Sequence, residues 1–256
     1  MLRTLSNIRK IFVSLCSASL ILAGTVFVQS TYASNDNIIE IRTIAIAPYG
    51  FESSVKPSGI YFDLANQLSD ESGFKAINLI YPYARIMKEL KSGETDLTIM
   101  FKYKELSEDV IYIAPLPTLQ NVVIGLVGTR IDAIDDLKGK VLGYLRGAKF
   151  SDVIDNDPDI YKYEVRDYFQ ALGMLKSGRV YAIIGPIDPI LSATSKLGDN
   201  ISILGKPFVV SERTPWVQMS KKSKHIATIE TLKKHITKIL ARGDLALLRK
   251  KYISGL

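Results

Sequence analysis

The chain has 256 residues, 47% of them hydrophobic and 23% charged, with 17 glycines and 10 prolines; this composition excludes a disordered or fibrous protein and leaves room for one large or two smaller packed domains. One cysteine and two histidines are too few for a disulfide framework or for a cysteine or histidine metal centre. A formal charge of +7 raises nucleic acid as a partner, but the lysines are scattered or gathered near the C-terminal end (Lys221, Lys222, Lys224, Lys233, Lys234, Lys238, Lys250, Lys251). That is the pattern of a solvated helical face, and no nucleic-acid partner is expected.

The first segment decides the compartment. Arg3, Arg9 and Lys10 precede an uncharged stretch from Ile11 to Val28, and small residues, Thr31 and Ala33, then stand where a signal peptidase would cut before Ser34. Residues 1–33 are therefore expected to be a cleaved signal peptide. The alternative is an uncleaved anchor, because the stretch approaches the roughly 20 residues that span a bilayer. Cys16 lies inside this leader behind Leu15, which is no lipid-attachment box. Export without a lipid anchor points to the periplasm, with cleavage near Ala33.

Beyond the leader, strand and helix signals alternate. Ile41 to Ala47 reads as a first strand ending at Pro48. Asp63 then caps a helix through Ser72 with Leu64 and Leu68 on one face and Gly73 as its stop. Asn78 to Tyr81 is a short second strand, Ala84 to Ser92 a helix stopped by Gly93, and Leu97 to Phe101 a third strand. This order predicts an α/β fold with a mostly parallel sheet covered on both faces.

The unit recurs. The stretch from Leu90 to Ile99 is echoed 85 positions later by Leu175 to Ile184, each with a helix closing on Lys-Ser-Gly before an apolar strand. Two similar Rossmann-like lobes are the simplest account. Pro115-Leu116-Pro117, followed by the β-rich run Gln120 to Val127, marks a crossing from the first lobe to the second. A second crossing is expected near Phe208 to Trp216. Ile226, Ile229, Leu232, Ile236 and Ile239 keep helical spacing, so the C-terminal helices would return to the first lobe. The expected domains are 34–118 with 212–256 for the first lobe and 119–211 for the second, with a hinged cleft between them.

These residues resemble the bacterial extracellular solute-binding proteins of family 3, the amino-acid-binding group with the type 2 periplasmic-binding fold. Gly59 to Leu64 is similar to the family's Gly-x-x-x-Asp-Leu helix start, and Pro82 to Arg85 with Gly93 and Asp96 to its Pro-x-x-Arg helix and Gly-x-x-Asp exit. Asp136 to Gly143 resembles the Asp-Leu-Lys-Gly-Lys turn that begins the second lobe; Leu175 to Ile184 and Gly243 to Tyr252 resemble its later motifs. The resemblance implies a Venus-flytrap binding protein that serves an ABC transporter. Two departures accompany it. Where the family usually has a carboxylate-clamping Arg, the segment Phe101 to Glu105 offers only Lys102 and Lys104, and where it usually has a hydroxyl beside Gly147, Ala148 has none.

Ligands of open α/β sheets sit beyond the carboxyl ends of the strands. That rule selects the loops Pro48 to Phe51, Phe101 to Glu105, Arg146 to Phe150 and Gly185 to Asp188. Tyr49, Phe51 and Tyr61 would supply a flat wall or pack the loop. Arg85 would fork onto a carboxylate or pair with Glu89 or Asp63. Lys102 and Lys104 offer point charges. Arg146, beside Gly147 at an expected helix entrance, would favour an anion together with free backbone N–H groups. Asp188 would accept from a ligand ammonium or simply form a turn. Asp167 reads as a helix cap, and Trp216 as core or hinge packing.

No nucleophile constellation is visible, because His225 and His235 both fall in the lysine-rich terminal helix and read as surface residues. The expected function is a periplasmic binding protein, not an enzyme, that closes on a small polar or anionic solute, amino-acid-like or another carboxylate. Its partner would be an inner-membrane ABC permease or a sensor receptor; it is expected to be monomeric, with no cofactor, metal or catalytic residue. The alternatives are a cyclohexadienyl-type dehydratase on the same fold, which would need a cleft acid of raised pKa, and a sensing module that presents its loaded state to a membrane receptor.

Overall fold

The computed structural model describes residues 38–253; the expected leader and its cut site lie outside them. Two five-stranded sheets divide the described chain. The first contains β1 (Ile38–Ile44), β2 (Lys75–Tyr81), β3 (Leu97–Phe101), β4 (Val110–Pro115) and, from far along the chain, β10 (Pro215–Ser220), in the order β2-β1-β3-β10-β4. The second contains β5 (Leu119–Ile124), β6 (Val141–Leu145), β7 (Tyr161–Val165), β8 (Ala182–Pro186) and β9 (Phe208–Arg213), in the order β7-β6-β8-β5-β9. In each sheet the three strands linked by helices are parallel; β10 in the first and β5 in the second run antiparallel to them, and the edge strands β4 and β9 pair antiparallel with β10 and β5, returning to the direction of the other three.

Period-two alternation builds both cores. Ile39 and Ile41 of β1, Leu97 and Ile99 of β3, and Val217 and Met219 of β10 face one way. There they meet α1 (Ile60–Ser72) through Leu64 and Leu68, and α6 (Ile229–Ala241) through Leu232, Ile236 and Ile239. Met100 points to the opposite face, against Ile86 and Leu90 of α2 (Tyr83–Ser92). In the second lobe Val122, Ile124 and Ile183 pack under α4 (Tyr168–Lys176) and α5 (Ile187–Lys196), while Val123, Ala182 and Ile184 cover the other side beside α3 (Asp152–Asp155). The final helix α7 (Asp244–Tyr252) docks on the first lobe, with Lys251 Nζ 2.8 Å and Tyr252 Oη 2.6 Å from Asp63 Oδ2.

The chain passes between sheets twice, at Leu116–Thr118 and at Thr214. The crossings are tied side by side, with the Thr118 and Thr214 hydroxyls 2.8 Å apart and the Leu116 N–H donating to the Pro215 carbonyl at 2.8 Å. The expected helix stops are present: Gly73 and Gly93 take left-handed φ of 75° and 87° at the ends of α1 and α2, and Gly178 closes the second Lys-Ser-Gly copy at 71°.

Four local expectations need correction. The first strand ends at Ile44, not Ala47, because Ala45 to Gly50 turn sharply, with the Tyr49 and Gly50 N–H groups donating to the Ile46 carbonyl. α1 begins at Ile60 behind Gly59, so Asp63 lies in its first turn and is not the cap. The segment after Gly147 does not enter a helix directly; α3 starts only at Asp152 and lasts one turn. His225 is neither helical nor at the surface. It is buried before α6, with Nε2 3.0 Å from the Ile38 carbonyl and 3.8 Å from Asp96 Oδ2, while Asp96 is itself fixed by the Ser223 hydroxyl at 2.6 Å.

Candidate functional site

The carboxyl ends of β1, β3, β6 and β8 converge on the gap between the sheets, where a cavity of about 80 Å³ is lined from both sides; a second cavity of about 350 Å³ shares Tyr49 and Tyr61 with it and adds Asp188, Glu212 and Arg249. The first lobe contributes Tyr49, Tyr61, Phe101 and Tyr103. The second contributes Ala148, Lys149, Phe150 and Tyr168, and the crossing strand β9 adds its last residue, Arg213.

The wall is aromatic and its hydroxyls are sparingly satisfied. Tyr49 and Tyr61 stack with centroids 4.4 Å apart and planes 9° from parallel. Burial raises both phenols well above their ordinary range, the neighbouring Asp188 charge adds to the effect, and Arg249 opposes it; burial does the same for Tyr168. All three therefore stay protonated and able to donate. The hydroxyls of Tyr49 and Tyr168 find no hydrogen-bond partner among the described residues. Tyr168 reaches the cavity because Gly185 has no side chain: a Cβ there would lie 1.9 Å from the Tyr168 hydroxyl.

Arg213 links the two lobes. Its Nη1 donates to the Lys149 carbonyl of the second lobe at 3.1 Å and its Nη2 to the Lys102 carbonyl of the first at 2.9 Å. The guanidinium also lies 4.6 Å from the Phe101 ring centre and 5.0 Å from that of Tyr103. Burial raises the Tyr103 phenol, while the adjacent guanidinium charge pulls it back.

Behind the aromatic wall the lobes meet again. Asp188, at the start of α5 and only 1% exposed, accepts from Arg249 of α7 through both oxygens, Oδ1 from Nη2 at 2.7 Å and Oδ2 from Nε at 3.0 Å. The Asp188 hydrogen bond raises the Arg249 pKa against the opposing effect of burial. Lys196 of α5 rests 4.1 Å over the Phe51 ring, and burial lowers its pKa.

Comparison with known proteins places this architecture. The model of the bacterial extracellular solute-binding proteins, family 3, matches residues 41–255. The chain belongs to that family. A probable amino-acid-binding protein of Bacillus subtilis, YxeM, is 22% identical over 88% of this chain and 88% of its own. Among solved structures, the arginine-, lysine-, histidine-binding protein ArtJ of Geobacillus stearothermophilus superposes with a TM-score of 0.66 at 18% identity, covering 84% of this chain and 94% of its own. A histidine kinase sensor domain with similarity to periplasmic binding proteins superposes at 0.68 and 13% identity, covering 85% and 96%.

In this family 3 protein, the candidates chosen from sequence separate into three groups. Tyr49 and Tyr61 line the cavity. Asp188, Phe51 and Lys102 lie near it but are otherwise engaged: Asp188 by Arg249, Phe51 by Lys196 and the edge of Tyr252, and Lys102 over Trp216 at 3.7 Å and Tyr112 at 4.3 Å. Arg85, Lys104 and Arg146 do not line it. Arg85 pairs with Glu89 at 2.7 Å and covers Tyr81, Arg146 pairs with Glu164 at 3.1 Å, and Lys104 is exposed in a short turn. Asp167 is the cap expected of it, accepting from the Gln170 N–H at 2.7 Å. Sequence reasoning selected the loops that hold Tyr103 and Phe150 but did not single out those side chains, and it missed Arg213 and Tyr168. Tyr168 follows the cap Asp167 directly, and Arg213 ends the extended run before Pro215, so both were adjacent to recognised signals.

Proposed function

We propose that this chain is an exported, periplasmic solute-binding protein that closes around a small polar or anionic solute, amino-acid-like or another carboxylate, and delivers it to an inner-membrane ABC permease. The observation that carries this reading is a cavity lined by both lobes and by the crossing strand, with Arg213 hydrogen-bonded to a carbonyl on each side. A ligand there touches both lobes only when they are together, so binding shifts the population towards the closed form. Family membership and the amino-acid-binding relative support the solute class. Among the described residues the lining of this cavity contains neither a carboxylate nor a histidine, and the buried acid beside it, Asp188, is held by Arg249, which favours binding over a dehydratase needing a free acid there.

A thermal-shift screen of amino acids, other carboxylates, amines and sugars tests the proposal. A true ligand at 100 times its Kd stabilises by about 2.7 kcal/mol, and silence across the screen would remove the reading. Co-purification from membranes then separates delivery to a permease from presentation to a sensor.

A further inference from the structure

We propose that the cleft is made for an apolar monocarboxylate that lacks an ammonium group, an aromatic or branched 2-oxo acid, with its anionic end held by Arg213. This assignment rests on the solute-binding reading and narrows it to a ligand class.

Charge is the first ground. Among the described residues lining the cavity, the formally charged side chains are Lys149 and Arg213, both cationic. The nearby buried acid, Asp188, has both oxygens taken by Arg249. An α-amino acid would bring its ammonium into an apolar wall beside two cations, with no carboxylate among the described residues of that lining to meet it, and burying an unpaired charge is strongly unfavourable. A carboxylate alone meets only favourable charge.

Geometry is the second. Arg213 is held by two backbone carbonyls and by the faces of Phe101 and Tyr103, so its orientation is fixed before a ligand arrives. A guanidinium carries five N–H donors, and the two carbonyl bonds leave others to meet an anion. The hydroxyls of Tyr49 and Tyr168 are buried in the same wall with no hydrogen-bond partner among the described residues, and donors in that state favour a ligand rich in acceptors.

Size is the third. At 10–15 Å³ for each water-sized sphere, 80 Å³ holds about five to eight of them. That suits a compact molecule such as benzoate or a branched 2-oxo acid better than a peptide or an oligosaccharide.

Isothermal titration calorimetry on the purified protein tests this with matched probes: benzoate and its neutral isostere benzamide, and 4-methyl-2-oxopentanoate with its amino counterpart leucine. At least one acid is expected to bind, at least tenfold more tightly than its neutral or amino counterpart. Arg213→Gln is expected to weaken that acid at least tenfold while leaving benzamide unchanged, and Arg213→Lys, which keeps the charge but loses the fork, to fall between. Circular dichroism reports whether the variants fold; if neither does, the wild-type acid-to-counterpart ratio decides alone. Tighter binding of leucine than of its oxo acid, equal binding of benzoate and benzamide, or an acid affinity indifferent to Arg213→Gln would overturn the inference and leave the solute-binding reading standing. If these probes and the wider screen are all silent, both fall together.

Discussion

Replacing Arg249 by Met removes one half of an ion pair that joins the lobes and leaves Asp188 buried without its partner. Breaking a buried pair in this way costs about 3–5 kcal/mol. Because the Arg249 side chain is 38% exposed while that of Asp188 is 1% exposed, solvent screening reduces the expected loss to about 2–3 kcal/mol. For a folded unit of this size, about 2–4 °C is lost per kcal/mol, so the melting temperature should fall by roughly 4–12 °C. Part of the cost can be escaped by opening the lobes and rewetting Asp188, so small-angle scattering should show a larger radius of gyration for the variant. Asp188→Asn combined with Arg249→Met leaves no unpaired charge and should recover much of the loss, giving a coupling above about 1 kcal/mol in the double-mutant cycle. A melting shift below about 1 °C, or coupling indistinguishable from zero, would refute the assignment of this pair as an interlobe tie.

Three further perturbations probe separate parts of the structure. Burial pushes the Glu89 carboxyl up, but hydrogen bonds from Arg85 and Thr95 and the Arg42 charge outweigh it and leave the pKa below its ordinary 4.5. A depressed pKa gives stability that is present above the unfolded value and lost as pH falls through the folded one. The stability gap between wild type and Glu89→Gln in urea titrations should therefore shrink as pH drops from about 5 to about 3; a constant gap would contradict it. Gly185→Ala forces Tyr168 out of the cavity wall, so ligand affinity should fall at least tenfold by calorimetry while Tyr168→Phe retains the fold; unchanged affinity in Gly185→Ala would show that Tyr168 is not needed there. Ile236→Ala empties a fully buried site where α6 meets the first sheet and should cost about 2–5 kcal/mol in chemical unfolding, whereas a loss below about 1 kcal/mol would mean that the helix is poorly docked.

Local periodicity made the lobes legible from sequence. Leu97 to Phe101 is a short, mostly apolar run between Asp96 and Lys102, and the strand bounds coincide with it; Gly73, Gly93 and Gly178 close their helices as expected because only glycine takes a left-handed φ there without strain. The loops at the strand ends followed from topology, and each of the four supplies at least one residue to the cavity. The side chains within those loops were harder to read, because their roles depend on partners distant in sequence. Asp188 is neutralised by a residue 61 positions away, and Arg213 touches Lys102 from 111 positions away. His225 was misjudged for the same reason, since the carbonyl that buries it belongs to Ile38, at the other end of the described chain.

Double electron–electron resonance between spin labels on the two lobes tests the central claim directly. Glu94 and Arg179 are exposed just beyond equivalent helix stops, one in each lobe, and can be changed to Cys in a chain carrying Cys16→Ser. A broad distance distribution is expected without ligand, collapsing to a single narrow distance when a binding solute is added. One narrow distance that stays the same with and without a solute shown to bind would contradict closure of two lobes around it.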